Sequence, residues 1–207
     1  MIEIADNSIQ LAVTLCCAAV SAFIAVRRGR QTFFILACYY GSLSMGLLYW
    51  LVYDIITSYT PRIFYVSDLC WVSSYLFLLM LVTETASPEE KAFRHPAMWI
   101  SPVVSTAFTV FYCRWGDYIE NIIWCGLMGA AGLFAIRGCI WASRQGQAAR
   151  RNFHLSVLLI IAVEYCLWTS SCFWVSDTLA NPYFWFDFAL TACAALMLPA
   201  TVKAVKE

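Results

Sequence analysis

Four carboxylates fall within otherwise apolar stretches of this sequence: Asp54, Asp68, Glu164 and Asp187. At membrane depth an acidic side chain costs at least about 2.5 to 3.5 kcal/mol at a helix centre, so each one demands a partner or a use. Their neighbours at helical spacing are polar aromatics. Asp54 follows Trp50 by four positions, Asp68 precedes Trp71 by three and Tyr75 by seven, Glu164 precedes Trp168 by four, and Asp187 follows Tyr183 by four and precedes Thr191 by four. Side chains so spaced share a helix face. Rings and carboxylates converging from different helices make a hydrated, electronegative hollow, which suits a cation and above all an organic amine held by charge pairing and cation–π contact. The expected ligand-binding set is therefore Asp54, Asp68, Glu164 and Asp187 with Trp50, Trp71, Tyr75 and Trp168. Two other readings of these residues stay open at this point. One has shallow aspartates reaching interfacial water beside a hydrogen-bonded Glu164; the other is a path for protons or cations.

Other chemistries find less support. Only two histidines occur, His95 in a loop and His154 at the far end of its helix from Glu164, so neither a metal site nor a resident cofactor is expected. The sequence contains no HExxH, no GxSxG and no Gly-rich phosphate loop, and Lys203 stands at the end of the last apolar stretch rather than within it, where a retinal Schiff base would need it. Serines abound, but none has a histidine partner in view, so no catalytic constellation is expected. Thirteen basic and thirteen acidic residues cancel, which leaves no basic surface for nucleic acid.

The elements that position these residues are membrane spans. Hydrophobic residues make up 62% of the 207 and charged residues only 13%, about half the charge of an ordinary soluble domain. Stretches long and apolar enough for a bilayer run over about 8–26, 32–56, 65–84, 97–113, 118–141, 153–176 and 183–202, which predicts one all-α domain of seven transmembrane helices covering 1–207. The fourth is the shortest and contains Pro102. The segment before Ser8 carries Glu3 and Asp6 and no Lys or Arg, so a permanent first helix is expected in place of a cleaved leader. Arg27, Arg28, Arg30, Lys91, Arg94, Arg144, Arg150, Arg151, Lys203 and Lys206 fall in alternate connections and the tail, against Arg62 and Arg114 on the opposite side. Basic residues accumulate on the cytoplasmic side, so this bias predicts an N-terminus outside and a C-terminus inside. Arg137, within the fifth stretch, is expected to snorkel toward the basic side. No repeat relates one half of the chain to the other, as a secondary transporter would commonly show.

One segment resembles a known family. Gly46, Trp50, Tyr53 and Asp54, a short connection with Pro61, then Ser67, Asp68, Trp71 and Tyr75 look like the seven-helix membrane regions that precede GGDEF and EAL domains in bacterial cyclic-di-GMP enzymes. Glu164 with Tyr165, and Asp187, resemble the acidic positions of that family's sixth and seventh helices. Where the family commonly has Tyr-Pro, this chain has Tyr75 followed by Leu76. The resemblance implies a sensor of the bacterial inner membrane. Since no output sequence follows Glu207 here, such a sensor is expected to pass its state to a cytoplasmic signalling partner. The partners expected are thus the lipid bilayer, a small, cationic ligand and that signalling protein; the alternatives are a cation or proton transporter and a lipid-modifying enzyme.

Overall fold

The computed structural model describes residues 2–57, 66–116 and 118–206, and every regular element among them is helical. Pro61 and Arg62, used above, lie outside the described residues. The helices are α1 (Ile2–Arg28), α2 (Gln31–Thr57), α3 (Val66–Thr85), the short α4 (Pro88–Ala92), α5 (Ile100–Tyr112) preceded by a 3₁₀ turn (Pro96–Trp99), α6 (Tyr118–Arg144), α7 (Ala148–Ser171) and α8 (Pro182–Ala204). Six of these, α1, α2, α3, α6, α7 and α8, are long and apolar enough to cross a membrane, which makes this a multi-pass membrane protein. Two tight turns need glycine in the left-handed region: Gly29 between α1 and α2, φ 61°, and Gly146 between α6 and α7, φ 69°.

The six long helices pack in a closed ring, α1 on α2, α2 on α3, α3 on α6, α6 on α7, α7 on α8 and α8 on α1. α1 shows most plainly what surrounds the ring. Its buried residues are Asp6, Asn7, Gln10, Thr14, Cys17 and Ser21, whereas Ile9, Leu15, Val20, Phe23 and Val26 are exposed. A helix with its polar stripe inward and its apolar face outward is inverted for water and correct for lipid. Thr14 meets Ser44 of α2 across the interface, with 2.9 Å between hydroxyls.

The 97–113 stretch does not form one long helix. His95 caps the 3₁₀ turn, its Nδ1 accepting the Ala97 N–H at 3.2 Å, and Pro96 fixes the first residue. The α-helix then runs for 13 residues and packs outside the ring on α6. Glycines on α6 permit this approach: a Cβ at Gly129 would come 2.9 Å from Ser105 Oγ. Ser105 and the Tyr165 hydroxyl lie 2.7 Å apart, and the Tyr112 hydroxyl donates to the Tyr165 carbonyl at 3.0 Å, which fastens α5 to α7.

At one end of the bundle the basic connections gather. Arg30 donates to the Val205 carbonyl at 2.9 Å, and Arg144 stacks on Phe93 with 5.2 Å to the ring centre. Between α3 and the 3₁₀ turn, the Ser87 hydroxyl accepts the Glu90 N–H at 3.2 Å and starts α4. The same hydroxyl and its own backbone N–H hold the Glu89 carboxyl below its usual range. α4 thereby drives Glu90 inward, fully buried, 3.4 Å from His154 Nε2 and 3.9 Å from Arg150 Nη1. Arg137 is 5% exposed, with its guanidinium 4.7 Å from the Phe134 ring centre and with Glu90 and Arg94 of the basic end as its charged neighbours.

Candidate functional site

A cavity of about 230 Å³ opens at the other end of the ring, where α1 begins. All six ring helices line it and α5 does not. Of the eight residues expected from sequence, seven line this one space: Asp68, Glu164, Asp187, Trp50, Trp71, Tyr75 and Trp168. Asp54 is not among the described residues that line it. It is half-buried on the last turn of α2, one turn beyond Trp50, past the point at which that helix faces the cavity.

Local sequence puts each group in place. Asn181 caps α8 by accepting the Tyr183 N–H at 3.0 Å, and Pro182 occupies its first turn, so Asp187 lies little more than one turn inside the helix. Gln10, one turn beyond Asp6 on α1, donates to Asp187 Oδ1 at 2.8 Å. Asp6 itself is 2% exposed and its carboxyl lies within hydrogen-bonding reach of that of Asp187. Two carboxylates at that range repel strongly unless a proton or a cation sits between them. Gly46 lets α3 approach α2: a Cβ there would meet Trp71 Nε1 at 2.8 Å. Trp71 consequently packs on Trp50 with ring centres 5.3 Å apart, while Trp50 Nε1 donates to Glu3 Oε1 at 3.1 Å.

Deeper, Glu164 is 7% exposed. Trp168 Nε1 donates to its Oε1 at 3.3 Å and the Tyr75 phenol lies beside it. Trp124 closes that wall, 5.1 Å from Trp168 and 6.1 Å from Tyr75 between ring centres. Glu164 Oε2 and Asp6 Oδ1 have no hydrogen-bond partner among the described residues. A buried oxygen without one is under-satisfied unless something further occupies the space.

Sequence reasoning missed Glu3, Asp6, Gln10, Glu120 and Trp124, all of which line the cavity. Glu3 and Asp6 precede the apolar stretch expected from Ser8 and Gln10 lies at its start, yet α1 begins at Ile2. The signal was present, since Asp6, Gln10, Thr14, Cys17 and Ser21 recur at intervals of three or four. The cavity thus gathers six carboxylates, Glu3, Asp6, Asp68, Glu120, Glu164 and Asp187, and among the described residues no Lys, Arg or His lines it. Such a space attracts cations and repels anions, and the indole and phenol faces add attraction for a weakly hydrated positive group.

Comparison with protein-family models, with curated proteins and with solved structures finds no match to this chain.

Proposed function

We propose that this protein is a receptor-like module of the bacterial inner membrane that binds a small organic cation in the acidic cavity and signals its occupancy to a cytoplasmic partner. The observation that carries the reading is the meeting of six carboxylates with Trp50, Trp71, Trp124 and Trp168 in one space that no basic side chain lines among the described residues. In this reading the chain crosses the bilayer seven times, with the cavity outside and the basic end in the cytoplasm. The seventh crossing is the run 96–112, whose 3₁₀ turn and α5 together reach about 27 Å, near the ~30 Å of a hydrocarbon core. The likeness of α2 and α3 to membrane regions of cyclic-di-GMP enzymes fits the same role.

A cation path is the less supported alternative. Below the cavity the ring is filled by Tyr39, Leu78, Leu81, Met128, Ile160 and Met197, each no more than 1% exposed, so among the described residues an apolar layer stands in the way of a hydrated route onward. A route for the signal is simpler. α3 carries Asp68 and Tyr75 and leads into the Glu90 segment, while α7 carries Glu164 at one end and His154 and Arg150 at the other. A ligand that draws these helices together at the cavity biases their packing at the basic end.

Four tryptophans line the cavity, so intrinsic fluorescence reads its occupancy. Titration of the full chain in lipid nanodiscs with tetramethylammonium and with butylammonium is expected to give a saturable change, absent with acetate and unaltered in Asp54→Asn. No saturable response to either cation would end the reading.

A further inference from the structure

The carboxylates of the cavity differ in how well they are supplied with hydrogen-bond donors. Glu3 accepts from Trp50 Nε1 at 3.1 Å, and Asp68 and Glu120 each engage other groups. Asp6 and Asp187 stand apart from these. They come from different helices, α1 and α8, they are 2% and 5% exposed, and their carboxyls lie within hydrogen-bonding reach of each other. An ionised carboxylate accepts and never donates, so that contact satisfies neither partner. Gln10 supplies one donor to the pair, its Nε2 to Asp187 Oδ1 at 2.8 Å. Asp6 Oδ1 receives none among the described residues, although its side chain is buried and lines the cavity.

The surroundings add negative charge and no positive charge. Asp187 acts electrostatically on Glu164 of α7, and the Tyr183 phenol, one turn before Asp187, lies in the combined field of Asp187, Asp6 and Glu164. Among the described residues no Lys, Arg or His lines the space. A proton shared by Asp6 and Asp187 relieves their repulsion and still leaves the pair negative. Among the described residues no three acidic, histidine or cysteine side chains form a metal-ligand set, so a seat of two carboxylates suits an organic cation better than a bare metal ion. The form of that cation follows from the missing donor. A quaternary ammonium brings charge but turns methyl groups toward the oxygens and leaves Asp6 Oδ1 buried without a partner, whereas a primary ammonium brings the same charge with three N–H groups.

We infer that the cavity selects a primary ammonium group, seated at Asp6 and Asp187 with its N–H groups donating to both carboxylates, over a quaternary ammonium of the same charge. The inference rests on the cation-binding reading above and narrows it to one class of amine and one seat. Calorimetric titration of the full chain in lipid nanodiscs with butylammonium and with butyltrimethylammonium tests it, because the two ions share charge and hydrocarbon chain and differ in their N–H groups. Butylammonium is expected to bind at least about tenfold more tightly, the effect of a charge-assisted hydrogen bond. Asp6→Asn keeps the size of the side chain and gives Asp187 an amide donor. It is expected to bring the two affinities within about threefold of each other, and Asp187→Asn is expected to act in the same direction. Circular dichroism without ligand establishes that each variant keeps its helices. Equal affinities in wild type, or a preference for butylammonium that survives in either folded variant and so reflects size, overturns the inference and leaves the cation reading standing. If neither ion binds wild type, the cation reading fails and the inference falls with it.

Discussion

Glu164→Gln is expected to weaken binding of organic ammonium ions by at least about 100-fold, or about 2.7 kcal/mol. Glu164 is a buried carboxylate of the cavity, 7% exposed, and its partners are the Trp168 indole and the Tyr75 phenol, both neutral. A cation brought beside it leaves water and depends on that charge for compensation, and removing one partner of a buried charge pair commonly costs 2 to 5 kcal/mol. Glutamine keeps the size, and its carbonyl still accepts from Trp168, so packing is preserved. Thermal stability without ligand is expected to be unchanged or raised, because a neutral amide is cheaper to bury than a carboxylate. Calorimetry on wild type and variant separates the two effects. A variant that binds as wild type does would remove Glu164 from recognition.

The largest effect on stability is expected at the opposite end. Glu90→Ala should destabilise the protein by about 1 to 3 kcal/mol, the usual consequence of leaving buried polar groups without a partner. Glu90 is fully buried, His154 is 1% exposed and their closest approach is 3.4 Å. Arg150 is farther, at 3.9 Å, and its side chain is 21% exposed, so solvent shields part of its loss. The fit is close because Gly138 lacks a side chain; a Cβ there would run into His154 and Glu90. Replacing all three polar groups together, Glu90→Leu with His154→Leu and Arg150→Met, is expected to recover much of the lost stability. Denaturant midpoints in mixed micelles compare the three proteins. An alanine variant as stable as wild type would show that the Glu90 segment is not anchored by charge.

The membrane class was legible from the sequence because hydropathy over 20 residues depends on little but composition, and the same is true of six of the helices. The helix at Ile100–Tyr112 was less so: its length depends on where the His95 cap and Pro96 begin a turn, which a hydropathy window does not register. Seven of the eight expected site residues reached the cavity because three- and four-residue spacing fixes a shared face once the helix is known. Asp54, four residues beyond Trp50 and on the last turn of α2, is not among the residues that line the cavity. Glu3 and Asp6 were missed because charge near a chain end reads as a polar tail. The burial of Glu90 against His154 depends on the segment after α3 turning back under α6 and α7, a tertiary contact across more than 60 positions that no local pattern encodes.

Carbodiimide labelling with peptide mapping reads the shared cavity directly, since one reaction on the full chain in nanodiscs scores every carboxylate at once. Asp6, Asp68, Glu164 and Asp187 are expected to be modified without ligand and to be protected together by saturating butylammonium, while Asp54 is modified equally in both conditions. Protection of none of the four, or equal protection of Asp54 and Asp68, would contradict a cation site built from these helices.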